Sequence, residues 1–197
     1  MHEITCRKSV KKVWYHAKKK TIKYQERDEA KRAEFIKAIY AVPKDRIVYV
    51  DETGIDSYLY RPYARSMKGQ RVFGKISGRK YKRTSIVAGQ SKNGIVAPLQ
   101  YSGTMDSTLF LFWFTNILLP CLAPGNIIVM DNARFHSKRL LLPVAIAARC
   151  DILFLPPYSP DLNKIEHFWA WLKNKLRKIL PLHVSLDDAI TACFNGE

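Results

Sequence analysis

Acidic residues are scarce in this chain. Seventeen Asp and Glu stand against 33 Lys and Arg over 197 residues, a formal net charge of +16. The imbalance excludes an acid-rich surface and points to a polyanionic partner, a nucleic acid ahead of an anionic membrane. Long apolar runs are missing as well. The longest, Leu109–Cys121, is interrupted by Asn116 and Pro120 and falls short of the ~20 residues a membrane span needs. The first twenty residues are basic and lack an apolar stretch, so they do not read as a secretory signal. Cysteine is sparse: Cys6, Cys121, Cys150 and Cys193 are scattered, with no CxxC and no paired His. Neither a disulfide framework nor a zinc knuckle is expected, and a cytoplasmic, nucleoid-associated protein free of membrane follows. Repeats, low-complexity tracts and internal linkers are also absent. What remains is 47% hydrophobic, too apolar for a disordered basic tail and enough for one packed core.

The charge is unevenly spread. Residues 1–45 carry 13 basic and 6 acidic side chains, residues 61–83 carry 9 basic and none acidic, and residues 164–178 carry 5 basic and one acidic. Everything else is net acidic, with 6 basic against 10 acidic residues. A basic shell around an acidic interior suits a protein that positions divalent metal against phosphate. A protein that only coats nucleic acid has no need of it.

Periodicity predicts a helix over Lys23–Tyr40, with Ala30, Ala33, Phe35, Ile36 and Ile39 inward and Pro43 as a stop. Residues 1–45 thus read as a basic arm and linker helix, and 46–197 as the main domain. A buried strand is expected at Arg46–Val50, ending at Asp51, with weaker strands at Tyr58–Arg61 and Gln70–Phe73. Thr84–Gly89 and Gly94–Gln100 read as a hairpin turning at Asn93-Gly94. A helix follows over Ser107–Leu119, capped by Asp106 or Ser107. Then come a strand at Asn126–Met130 ending at Asp131, a helix at Ser137–Ala148, and a strand at Asp151–Leu155. Helices at Leu162–Leu180 and Val184–Phe194 complete the chain, the last cut short by its end. The order gives a mixed α/β layout around one sheet.

Two apolar strands each run into a carboxylate, Asp51 and Asp131. Strand ends are where ligand sites lie in open α/β sheets, although a lone acid there can simply cap a turn. The third acid is Glu166. On its helix Ile165, Phe168, Trp169, Leu172, Leu176 and Ile179 form the core stripe. Glu166 sits at the stripe's edge, with Lys173 and Arg177 below it on the same line. Asn163 followed by Glu166 also fits a capping box, so ligand and cap both stay open. Hard divalent cations prefer oxygen ligands, and grouped carboxylates repel one another until a cation neutralises them.

The strings VDETG at 50–54, VMDNARFH at 129–136 and LPPYSPDLNKIEHFWAWLK at 155–173 resemble the DDE transposases. More narrowly they resemble the bacterial insertion-sequence branch of the mariner superfamily, which spaces its second and third acids as Asp131 and Glu166 are spaced. The block at 61–89 resembles that branch too. The resemblance implies an RNase H-like fold with a mixed central sheet flanked by helices. It implies Asp51, Asp131 and Glu166 as catalytic residues and ligands of two Mg²⁺ (or Mn²⁺). It further implies hydrolysis at transposon ends and transfer of the 3′-hydroxyl into target DNA. The partners implied are double-stranded DNA with terminal inverted repeats, a TA-type target and a homodimer in the synapse. Two departures stand out. Lys164 replaces the family's usual Pro and is expected to add a cation near the site. The helix-turn-helix modules of the family are not seen before Asp51, so a separately encoded polypeptide could supply them. A non-catalytic DNA-binding relic and an RNase H-like nuclease or resolvase are the competing functions.

Expected DNA contacts are Arg61, Arg65, Lys68, Arg71, Lys75, Arg79, Lys80, Lys82, Arg83, Lys173 and Arg177, with Tyr58, Tyr60, Tyr63 and Tyr81 interleaved; the tyrosines suit a plain edge hairpin equally. Asn132 could orient Asp131 or a water. His136 and His167 read equally as DNA contacts, proton-transfer groups or polar helix-end residues. Trp169 and Trp171 could stack on bases, but Trp169 fits the core stripe.

Overall fold

A computed structural model describes residues 25–59, 64–67, 69–75, 77–79, 81 and 83–195. Five strands form one sheet: β1 (Ile47–Asp56), β2 (Arg83–Ser91), β3 (Gly94–Tyr101), β4 (Ile127–Met130) and β5 (Asp151–Phe154). The order across it is β3-β2-β1-β4-β5. β1 pairs antiparallel with β2, and β2 with β3, whereas β1–β4 and β4–β5 are parallel. The hairpin turns at Lys92-Asn93, and Gly94 takes φ +130 there, a backbone region that glycine enters at no steric cost.

The strands alternate between two cores, as a pleat requires. On one face Tyr49, Ile86, Ala88 and Val129 pack with α4 (Ile165–Ile179) and α5 (Leu186–Asn195). On the other, Val48, Val50, Val87 and Ile128 pack with α2 (Ser107–Trp113) and α3 (Lys138–Ala147). The expected α4 stripe is present: Ile165, Trp169, Leu172 and Leu176 are buried, with Phe168 and Ile179 at its margin. α2 is capped by Asp106, whose Oδ1 accepts from Leu109 N at 2.8 Å. It widens into a π turn over Phe114–Leu118 before Pro120.

Three expectations change. β1 does not stop at Asp51 but runs to Asp56, because β2 accompanies it through Asp56↔Arg83. No strand forms at Tyr58-Leu59 or over Gln70–Phe73, and residues 60 and 61 of the first expected strand lie outside the described residues. The first helix, α1 (Glu29–Tyr40), begins six residues late, where Asp28 caps it through Lys31 N. Its inward face is also rotated. Ala30 and Ala33 are exposed, while Phe35 and Arg32 are buried. Arg32 (5% exposed) makes a two-pronged ion pair with Asp161 at 3.0 and 2.7 Å. Residues 1–24 lie outside the described residues.

Candidate active site

Asp51 is the fifth residue of β1, and Asp131 directly follows β4. The parallel ladder ends at Tyr49↔Val129; two residues further along each strand, Asp51 and Asp131 emerge side by side where the sheet splits. Glu166 arrives from the first turn of α4. All three line one cleft of about 340 Å³, together with Asn132, Ala133, Asn163 and the turn at 155–160. The expected trio is therefore brought together, and so is Asn132. Glu52 points to the opposite face, as strand alternation requires. There it accepts from the Tyr101 hydroxyl at 3.2 Å.

Asp51 and Asp131 have different electrostatics. Burial pushes the Asp51 carboxyl up to about 7 against the pull of the Glu52 backbone N–H, and the charges of Glu166 and Asp131 add to the rise. Burial leads this rise, and the repulsion of neighbouring acids is secondary. Asp131 departs from it. Burial acts upward on it too, but His136 and the Ala133 N–H outweigh burial and hold it below the ordinary value. His136 Nδ1 lies 2.8 Å from Asp131 Oδ1 and 3.1 Å from its main-chain oxygen. Both are acceptors, so Nδ1 is the protonated nitrogen. The ring is buried against Phe110 and Phe135, which makes His136 a clamp on Asp131. The Asp131 side chain itself stays 53% exposed. Its Oδ1 takes both the His136 contact and the Ala133 N–H at 3.1 Å.

Two residues that sequence reasoning gave other roles belong to the site. Asn163 does not cap α4; no side chain caps that helix. Its Nδ2 instead donates to Val50 O at 3.1 Å. Trp169 Nε1 donates to Asp51 Oδ2 at 3.1 Å. A signal for the second existed: a Trp buried in an apolar stripe must find an acceptor for its N–H.

His167 is exposed on α4 and outside the cleft. Lys164 does not add a cation to the cleft. Its ammonium lies over the Tyr49 ring at 5.6 Å, in a separate hollow shared with Lys44 and Lys92. Arg65, Arg71, Lys75, Arg79 and Arg83 are exposed, as DNA contact requires. Arg61, Lys68, Lys80 and Lys82, with Tyr60 and Tyr63, lie outside the described residues. Tyr58 and Tyr81 stack at 4.8 Å and join the two ends of this basic segment. Lys173 and Arg177 are half-buried on α4. Arg177 Nη1 donates to Asn174 Oδ1 at 2.6 Å.

Among the described residues, no three His, Cys, Asp or Glu side chains converge tightly enough to cage one ion, and no helix is long and apolar enough to cross a membrane. Mg²⁺ does not need such a cage. It is commonly held by one or two carboxylates, with substrate phosphates and water completing the shell. An all-oxygen set of three acids lining one cleft fits such a cation.

Residues 46–186 match the family described as DDE superfamily endonuclease. Over 73 residues the chain is 33% identical to the uncharacterized protein y4pE/y4sA of Sinorhizobium fredii (strain NBRC 101917 / NGR234), covering 34% of this chain and 47% of that protein. The fold is similar to that of the mariner Mos1 paired end complex with Mg, with a TM-score of 0.67 and 18% identity over 83% of this chain and 53% of that one. It is equally similar to the Mos1 strand transfer complex, with a TM-score of 0.66 and 20% identity over 81% and 52% of the two chains. The chain spans about half the length of these relatives. At such identities the likeness to Mos1 is one of fold, and that fold is the RNase H-like one.

Proposed function

The chain belongs to the DDE superfamily endonuclease family, and from that premise we propose that its cleft cuts and rejoins DNA phosphodiesters at the ends of an insertion sequence. Asp51, Asp131 and Glu166 are the residues that would hold two Mg²⁺ or Mn²⁺ ions. When bound, such ions activate the attacking water or hydroxyl and stabilise the leaving oxygen of a phosphodiester. The chain's own residues orient the acids and the DNA. His136 and the Ala133 N–H fix Asp131, Asn132 lines the same cleft, and the exposed cations of the 61–83 segment draw in the phosphate backbone. Hydrolysis at each end frees a 3′-hydroxyl, which then attacks a phosphorus of a TA-type target and displaces the target strand's own 3′-oxygen, so one phosphodiester is exchanged for another. The partners in this reading are double-stranded DNA bearing inverted repeats, a second copy of the chain and a separately encoded helix-turn-helix polypeptide. The relatives of this fold were caught with paired transposon ends, with Mg and in a strand transfer complex, which supports both the DNA and the metal.

The observation that carries the proposal is the meeting of three acids, from two strands and a helix, in one cleft. Purified protein is expected to nick or cleave DNA with Mg²⁺ or Mn²⁺ and not with EDTA, and Asp131→Asn to lower the rate about 100- to 1,000-fold, as loss of a principal charge-stabilising group does. Equal cleavage by Asp131→Asn would overturn the assignment. Salt-sensitive DNA binding without cleavage in any metal would leave the non-catalytic reading.

A further inference from the structure

We propose that Asn163 and Trp169 are positioning residues, forming a bracket that holds Asp51 at a fixed separation from Glu166. The inference rests on Asp51 and Glu166 acting together, as in the reading above.

Asn163 is 3% exposed and Trp169 2%, and both direct a donor at the same short piece of β1. Asn163 Nδ2 reaches Val50 O, and Trp169 Nε1 reaches Asp51 Oδ2, each at 3.1 Å. One bond holds the peptide just before Asp51 and the other holds its carboxylate. The orientation of the Asn163 amide is not ambiguous. Val50 O can only accept, so the group facing it is the NH₂. The other end, Oδ1, is buried with no partner among the described residues; a buried acceptor of that kind calls for a water or a ligand donor beside it. An indole offers a single N–H, so Trp169 commits its one polar group to Asp51.

Asn163 is in extended backbone just ahead of α4, whose first residue is Ile165. Trp169 is in the second turn of α4, and Glu166, in the first, lies between the two anchors along the chain. Tying the start of α4 to β1 on either side of Glu166 holds the Asp51–Glu166 separation. Asp131 is held differently, by His136 and Ala133 from its own loop. The cleft is thus assembled from two halves, each braced separately. If Trp169 served packing alone, an aromatic ring without an N–H would serve as well, and that difference can be measured.

The test uses the full chain labelled with ¹⁵N at tryptophan. Trp113 is an internal reference, since its indole donates to Ala97 O at 2.8 Å, on the far face of the sheet. In metal-free protein, Asp51→Asn is expected to move the Trp169 indole cross-peak and leave that of Trp113 in place. Free Mn²⁺, followed by its electron spin resonance, then gives metal affinity without reference to cleavage. Trp169→Phe is expected to weaken Mn²⁺ binding about 10- to 100-fold, the usual effect of removing a residue that orients a metal ligand. If Trp169→Phe does not fold, Asn163→Ser is expected to do the same while keeping the core ring. A Trp169 cross-peak indifferent to Asp51→Asn, or a folded variant within twofold of wild type in Mn²⁺ affinity, would overturn the bracket. Should wild type bind Mn²⁺ no better than Asp131→Asn, the metal reading fails, and the indole cross-peak still decides the bracket.

Discussion

Asp51 is an acid kept where an acid is uncomfortable. Its carboxyl is pushed up to about 7, first by burial, so the folded chain binds a proton there that the unfolded chain has released. A group raised in the folded state supports folding at low pH and loses that support as the pH climbs from the ordinary value of 3.8 to about 7. The full span corresponds to at most about 4 kcal/mol. Asp51→Asn is therefore expected to stabilise the metal-free protein at pH 8 while abolishing cleavage, with the advantage fading towards pH 4. Urea unfolding at both pH values checks it, and an Asp51→Asn variant no more stable than wild type at pH 8 contradicts it. Mg²⁺ should stabilise wild type and not the variant, because it binds only the folded acid set. At this scale Asp51 and Asp131 were legible, since carboxylates after apolar runs leave a pattern, and Glu166 came with its place at the edge of the helix stripe and with the family resemblance. The role of Asn163 was not legible, because a hydrogen bond to one main-chain oxygen has no period, and Trp169 signalled only that its N–H needed some acceptor.

The elements were legible where packing alone decides them. The face of α4 came straight from its 3.6-residue stripe, and β4 and β5 from short apolar runs. The end of β1 did not, because its length is set by pairing with β2, where Asp56 meets Arg83, far along the chain. α1 was misread in register because its inward anchor is an arginine. Arg32 is buried only because Asp161, in the turn leading into α4, receives it. Arg32 also holds the Asp161 carboxyl below its usual range. Arg32→Met keeps the length of the side chain and removes the pair. It is expected to cost about 1–2 kcal/mol, the upper part of the range for charged hydrogen bonds being discounted because Asp161 is half in water. A urea midpoint unchanged from wild type would show that the pair only decorates α1.

Over the whole molecule, the charge of +16 is unevenly placed. On the proposed function the exposed cations of the 61–83 segment would meet DNA from outside, whereas the cleft gathers the acids. Binding and chemistry are therefore separable. Replacing Arg65, Arg71, Lys75 and Arg79 with Gln is expected to flatten the plot of log affinity against log salt by up to ~0.9 per lost phosphate contact. The cleavage rate of DNA already bound should stay within about twofold. Anisotropy titrations at several salt concentrations, with single-turnover rates at saturation, measure both. A variant that binds as tightly and as salt-sensitively as wild type would remove this segment from the DNA path.

The split of the sheet has a consequence for how such a site can be altered. β1 has ten residues and its neighbour β4 only four, and the cleft is the space that β4 leaves unfilled. Its opening along β1 is set by strand length, and the side chains only hold the acids within it. Two more residues of β4 in register would carry the ladder past Asp51 and shut the cleft with every acid still in place. For this chain, then, an insertion that preserves all the acids can be more damaging than a substitution that removes one.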